Sequence, residues 1–198
     1  MDQKKLDQQS QHWETNFSSK PEMFGLNPSY SAKKALKIFK QEKIFSIIEL
    51  GAGLGRDSIF FAKNNIKIKA LDYSISGLKV ISDKIKKNNL SKFVSTKLFD
   101  IRKKLPFPDN SIEGCYSHML YCMALTKKDL EKLNNEILRV LKPGGLNIYT
   151  VRHTNDGDFK NGIHRGEDLY ENDGFIVHYF SKEKITSLLN GFKNIYLE

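Results

Sequence analysis

The chain has 198 residues, 39% of them hydrophobic and 28% charged, and a net charge of +9. That length and composition suit one domain with a core of its own and exclude a disordered or collagen-like chain. Two cysteines, Cys115 and Cys122, form neither a CxxC pair nor a metal-ligand array. The N-terminal MDQKKLDQQSQHWE carries no apolar signal core, and no run approaches the ~20 apolar residues of a membrane span. The reading is a cytoplasmic protein without membrane contact. The positive charge invites nucleic acid, because neutralising phosphate needs Lys and Arg. Yet only five of the 32 basic residues are Arg, the type that dominates bidentate phosphate and base contacts. The lysines recur at helical spacings opposite apolar residues and read as a solvated face.

Helical patterns over about 2–18 and 29–41 precede the first strand. Trp13 and Phe17 lie four apart, hence on one helical face, where they either dock the helix on the core or cover a ligand. Residues 44–50 (IFSIIEL) predict a buried strand, 56–64 a helix, and 66–71 a second strand ending at Asp72. A helix over 75–88 places Ile75, Leu78, Ile81 and Ile85 on one face. Strands follow at 92–99 and 111–119. The helix over 127–141, with Leu130, Leu133, Ile137, Leu138 and Leu141, stops at Lys142-Pro143-Gly144-Gly145. A fifth strand is predicted at 145–151, then a less regular polar stretch to about 174, then FIVHYF, a helix at 181–190, and KNIYLE as a sixth strand. Strand–helix alternation predicts an α/β fold with a doubly wound, mostly parallel sheet and extra N-terminal helices. Ligands bind such sheets beyond the carboxyl ends of the strands, which directs attention to loops 51–56, 72–74, 100–104, 117–122 and 152–174.

Residues 49–57, ELGAGLGRD, raise the first chemical question. A phosphate-binding P-loop is excluded, because no Gly-Lys-Ser/Thr follows. The glycines stand at 51, 53 and 55 rather than in the G-x-G-x-x-G of dinucleotide sites. Asp72, ending the second strand, suits a ribose diol, a feature that nicotinamide sites share. Asp100, in LFDI after the third strand, puts a second carboxylate on the same rim.

Together, ELGAGLGR, LDYS, LFDI, SIEGCYSHM and LRVLKPGG, in this order across roughly 44–151, resemble the class I S-adenosylmethionine-dependent methyltransferases. The resemblance implies a Rossmann-like methyltransferase fold, S-adenosyl-L-methionine as cofactor and S-adenosyl-L-homocysteine as product. It places Glu49, Gly51, Ala52, Gly53 and Gly55, with Arg56, along the methionine and ribose side. Asp72 would hold the ribose hydroxyls, Tyr73 would stand beside the adenine, and Asp100 and Ile101 would flank that ring. Ser117 and His118 would close the fourth strand's end near the sulfonium. The segment HWETNFSSKPEMFGLNPS resembles the leading helix of small-molecule methyltransferases of the tellurite-resistance, thiopurine or thiol type. That resemblance implies that Trp13 and Phe17 cover the cofactor.

Methyl transfer from a sulfonium is an in-line displacement for which the protein supplies alignment and exclusion of water. A general base is needed only where the acceptor carries a proton. The candidates are His118, Tyr121, His153 and His178; four of the five histidines follow the fourth strand. Arg152, His164 and Arg165 are candidate substrate contacts, the arginines as clamps for an anion or as loop caps. The polar, glycine-containing stretch after the fifth strand is expected to cover the substrate. Glu167, Asp168, Glu171 and Asp173 with His164 match no ligand spacing, so no metal is expected.

The expected organisation is one domain over 1–198. It comprises an N-terminal helical lid (1–42), a cofactor-binding core (43–151), a substrate-covering segment (152–180) and a last helix and strand (181–198). The family's antiparallel seventh strand has no counterpart before Glu198. This predicts a truncated chain or a bare edge, and a monomer or a homodimer paired along that edge. The expected partner is a small-molecule methyl acceptor: a thiol, metalloid or amine. The alternatives are an RNA or protein methyltransferase and a cofactor-binding regulatory protein without turnover. SHML stands where DNA amino-methylating enzymes carry Asn/Asp-Pro-Pro-aromatic, which disfavours DNA bases.

Overall fold

A computed structural model describes residues 3–193 and Leu197. Three helices come first: α1 (Gln3–Asp7), α2 (Gln9–Ser19) and α3 (Tyr30–Gln41). The first two are nearly continuous, since Gln8 N donates to Lys4 O and Gln8 O accepts from His12 N. Ser29 caps α3 by accepting from Ala32 N, which satisfies one of the orphan donors of a helix start.

The doubly wound sheet is present. It runs through β1 (Ser46–Leu50), β2 (Lys67–Asp72), β3 (Val94–Leu98), β4 (Ile112–Ser117) and β5 (Leu141–Tyr149). Its order is β3-β2-β1-β4-β5 and all its pairs are parallel. Between the strands run α4 (Arg56–Lys63), α5 (Ile75–Lys87) and α6 (Lys127–Val140). Successive strand residues point to opposite faces: Ile47 joins a core with Phe39 and Ile81, and Ile48 joins another with Leu133 and Ile137. Helices therefore cover both faces, and the central strand β1 is apolar on both. The strand order reverses between β1 and β4, so the crevice for a ligand opens where their carboxyl ends part.

Two boundaries differ from the sequence reading. Helix α6 ends at Val140, and Leu141 already pairs with Ile112. The Lys-Pro-Gly-Gly stretch is a bulge inside β5, with the ladder resuming at Gly114 and Leu146. The second correction concerns 152–174, expected to be irregular. It contributes β6 (Arg152–His153), β7 (Ile163–Gly166) and β8 (Leu169–Asn172), which join β9 (Phe175–Phe180) in a second sheet of order β6-β9-β8-β7. Glu167-Asp168 and Asp173-Gly174 form the two-residue turns, all four with positive φ, as primed hairpin turns require. Helix α7 covers Lys182–Ser187. The predicted sixth strand falls largely on 194–196 and 198, outside the described residues, and so does the bare-edge expectation attached to it. Among the described residues, no helix is long and apolar enough to cross a membrane.

Candidate active site

The glycine loop is held from below and behind. Gly51 N and Ala52 N both donate to Leu71 O, at 2.9 and 3.1 Å. Gly55 caps α4 in the left-handed region (φ 73°), and a Cβ on it would overlap Ile81 Cγ1. Asp72 fastens the front of the loop: Oδ2 accepts from Gly53 N at 2.7 Å and Oδ1 from Ser74 N at 2.8 Å. Burial raises the Asp72 pKa against these backbone bonds. Burial and the neighbouring Asp57 push Glu49 up to about 8, although Ser58 donates a short hydrogen bond to it.

Above the loop lies a cavity of about 560 Å³. Strand β1 contributes Glu49, the loop after it Gly51, Ala52, Gly53 and Gly55, and the start of α4 Arg56. Asp72 and Tyr73 follow from the end of β2, Ile101 from the segment after β3, and His118 from just beyond β4. The N-terminal segment contributes Trp13, Phe17 and Phe24, and the second sheet Tyr170, Phe175 and Tyr179. Arg152, at the start of β6, also lines it, although its guanidinium already pairs with Asp156 at 2.9 Å and Asp158 at 2.8 Å.

The roof joins both sheets. Trp13 packs on Phe17 at 5.3 Å between centroids and on Phe175 at 4.9 Å. Gln9 acts as a backbone mimic for the β8–β9 turn: Nε2 donates to Gly174 O at 2.8 Å and Oε1 accepts from Ile176 N at 3.1 Å. Trp13 and Phe17 thus dock α2 and line the cavity at once.

Several predicted residues stand elsewhere. The Asp100 carboxylate is turned to Arg102, whose guanidinium also pairs with Asp7 of α1 at 2.5 Å; it braces the N-terminal helices and does not line the cavity. Ser117 is fully buried, and its Oγ has no hydrogen-bond partner among the described residues. Tyr121 is buried against Tyr149, with its hydroxyl donating to Asn134 Oδ1 at 2.5 Å. His178 is buried too: Nδ1 meets Leu125 O at 2.8 Å and Nε2 meets Lys184 Nζ at 3.0 Å. Burial and that lysine push His178 down to about 4, which keeps it a neutral structural link. His153 is exposed and accepts from Asn155 N. His164 stacks beside Tyr170, and Arg165 pairs with Glu171. Of the four catalytic candidates, only His118 lines the cavity. The sequence reading missed Glu14, Ser31, Asp57 and Tyr116, which hold the roof and His118 in place.

The groups present fit S-adenosylmethionine. Asp72 accepts one hydrogen on each oxygen, and a carboxylate can accept about four, so capacity remains for a ribose diol. Phe99, Ile101 and Leu120 add apolar surface for a planar ring.

The methyltransferase domain family matches residues 47–145, half of the chain. Phosphoethanolamine N-methyltransferase 1 of Triticum aestivum is 32% identical over 132 residues, 64% of this chain and 22% of that protein. Sterol 24-C-methyltransferase of Pneumocystis carinii (strain B80) is 32% identical over 105 residues, 51% of this chain and 26% of that protein. The chain spans about a quarter of the length of these curated relatives. A solved SAM-dependent methyltransferase from Methanosarcina mazei shares the fold, with a TM-score of 0.64 at 18% identity, over 77% of this chain and 82% of that one. This chain belongs to the methyltransferase domain family, whose methyl donor is S-adenosyl-L-methionine.

Proposed function

We propose that this chain transfers a methyl group from S-adenosylmethionine to a small-molecule acceptor. One observation carries the reading: a single cavity is lined both by the glycine loop with Asp72 and by His118, Tyr170 and Tyr179 under an aromatic roof. A donor and a small acceptor fit one enclosure of about 560 Å³. When bound, the cofactor supplies an electrophilic methyl carbon. The chain's own residues then align and exclude water. Asp72 and the loop hold the nucleoside, the roof keeps water out, and His118 faces the acceptor. Arg152 is balanced by Asp156 and Asp158, so it is a poor clamp for a second anion and better suited to shaping the wall.

The experiment is calorimetric titration with S-adenosylhomocysteine and with NADH, followed by a screen of thiols, selenite, tellurite, amines and tRNA with labelled methyl donor. Binding of S-adenosylhomocysteine and label on a small acceptor are expected. Binding of NADH alone defeats the proposal. Label on tRNA alone replaces the acceptor class, and cofactor binding without any turnover favours a regulatory role.

A further inference from the structure

A buried polar chain runs from the cavity into the protein, and what it does rests on the methyl-transfer reading above. His118 Nδ1 lies 2.9 Å from Ser31 Oγ and 3.0 Å from Thr150 Oγ1. Ser31 Oγ lies 2.9 Å from both Tyr116 OH and Ser29 Oγ. These two hydroxyls reach Asp57 Oδ2 at 3.1 and 2.6 Å, and Asp57 Oδ1 accepts from Ser29 N at 2.7 Å. Asp57, Tyr116 and Ser29 are all buried.

The hydrogens available limit the ways this chain can run. A carboxylate oxygen only accepts, so Tyr116 and Ser29 each spend their one hydroxyl hydrogen on Asp57. Both then present lone pairs to Ser31, which has one hydrogen to give. Were it given to Nδ1, the contacts of Ser31 with Ser29 and with Tyr116 would hold no hydrogen at all. A proton on Nδ1 that is donated to Ser31 fills the ring contact and leaves the Ser31 hydrogen for Ser29 or Tyr116. Thr150 Oγ1, which accepts from Met119 N at 2.8 Å, keeps one lone pair that can share the Nδ1 hydrogen and one hydrogen that would instead serve a bare Nδ1. Nε2 makes no hydrogen bond among the described residues and, with the proton on Nδ1, keeps its lone pair.

We infer that His118 Nε2 is the base that removes the acceptor's proton, and that Asp57 is a positioning residue. It holds the imidazole in the Nδ1–H tautomer through Ser31, with Tyr116 and Ser29 as parallel relays. A buried carboxylate that orients a histidine does the same where the two touch directly. As the acceptor's lone pair bonds to the methyl carbon, the electron pair of the carbon–sulfur bond goes to the sulfur. The acceptor's proton passes to Nε2. The imidazolium so formed keeps its Nδ1–H on Ser31, with the charge of Asp57 at the chain's far end. The acceptor is thereby narrowed to groups that lose a proton on methylation: N–H, O–H or S–H. The charged groups acting on the ring are Asp57 and Arg56, which lie 3.5 Å apart. Burial lowers the His118 pKa, Asp57 opposes this and Arg56 adds to it, which keeps the ring a free base at neutral pH.

The test is nitrogen-15 NMR of the imidazoles in the full chain with S-adenosylhomocysteine added, His118 being assigned by the signals lost in His118→Asn. The wild type at pH 8 should show the Nδ1–H tautomer. Ser31→Ala cuts both relays, and Asp57→Asn turns the terminal acceptor into a donor. Either should lower the ratio of Nδ1–H to Nε2–H by about fivefold, the equivalent of one hydrogen bond. Ser31→Thr keeps the hydroxyl and should restore the ratio, and Tyr116→Phe leaves the Ser29 branch and should preserve it. An Nε2–H tautomer in the wild type overturns the inference, as does a ratio unmoved in Ser31→Ala. Should Asp57→Asn fail to fold, the half-buried Ser31 carries the test alone. Calorimetry on the same samples separates the failures. No binding of S-adenosylhomocysteine overturns the methyl-transfer reading, whereas binding with an Nε2–H imidazole overturns only the relay.

Discussion

Glu14 Oε1 accepts a hydrogen bond from Ser76 Oγ at 2.5 Å, which ties the second N-terminal helix to the first turn of α5. Glu14 Oε2 accepts from Ser74 Oγ at 2.6 Å, while that same serine accepts from Gly77 N at 2.9 Å. Helix α5 has no acidic residue in its own first turn, and an anion there is stabilised by the exposed N–H groups and the helix dipole. Glu14 supplies that anion from a distant part of the chain. In doing so it fixes the roof over Asp72 and the glycine loop.

Glu14→Ala should therefore loosen α1 and α2. Bonds to a charged acceptor are worth about 1.5–3 kcal/mol. We expect faster tryptic cleavage after Lys5 of α1 and weaker S-adenosylhomocysteine binding, by about tenfold. Burial works against ionisation, but the bonds from Ser74 and Ser76 prevail and hold the Glu14 carboxyl below its ordinary range. The tie is thus intact above a pH of about 4.5 and is lost as the pH falls through the lowered value. Unchanged cleavage and affinity in Glu14→Ala would show that the roof stands without it.

Asp72→Ala should weaken S-adenosylhomocysteine by about 1.5–3 kcal/mol, since charge-assisted bonds to the ribose are lost. The same change releases Gly53 N and Ser74 N, so part of the loss comes from a looser loop. Asp72→Asn keeps one carbonyl oxygen for those donors and should fall between the two. Calorimetry reads all three, and equal affinities would assign Asp72 a purely local structural role.

Glu49 gives a pH-dependent stability. Its folded value, pushed up to about 8, lies above its ordinary value of 4.5. Between these, the folded state binds the proton more tightly than the unfolded state, so stability falls as pH rises through that window. Each tenfold displacement of the acid equilibrium is worth about 1.4 kcal/mol. Glu49→Gln stays neutral and still accepts from Ser58. Relative to wild type it should gain ~2 kcal/mol or more between pH 5 and pH 8, measured by urea unfolding at both. A difference that does not grow with pH would contradict the assignment.

Gly55→Ala meets two obstacles. Left-handed backbone costs a residue with a Cβ about 1–2 kcal/mol, and the new methyl overlaps Ile81, adding about 1–3 kcal/mol of overpacking. Only the second term depends on Ile81. In a double-mutant cycle, Gly55→Ala should be milder in an Ile81→Ala background than in wild type, by about 1 kcal/mol or more. Additivity in urea unfolding would mean that backbone strain alone makes Gly55 necessary. The glycine density of ELGAGLGRD thus answers in part to packing: Gly55 faces Ile81, and a Cβ on Gly51 would come within 2.8 Å of Leu120 Cδ1.

The sequence by itself determined the first sheet and the rim of the cofactor side. Burial alternates locally along strands and helices, so β1, α4, β2 and α5 lie within two residues of their predicted bounds, and Asp72 stands at a strand end next to the loop. The Asp173-Gly174 pair carries a hairpin-turn signal that the sequence reading passed over, taking the polar stretch around it as irregular. Tertiary structure alone decided which side chains share the cavity. Arg102 takes Asp100 from it, and Lys184 holds His178 inside the core. Glu14, Ser31 and Asp57 gain roles only through partners on other elements. Periodicity reports which face of an element is buried; it carries no information about which distant residue that face will meet, and at this site those meetings set tautomer, charge and enclosure.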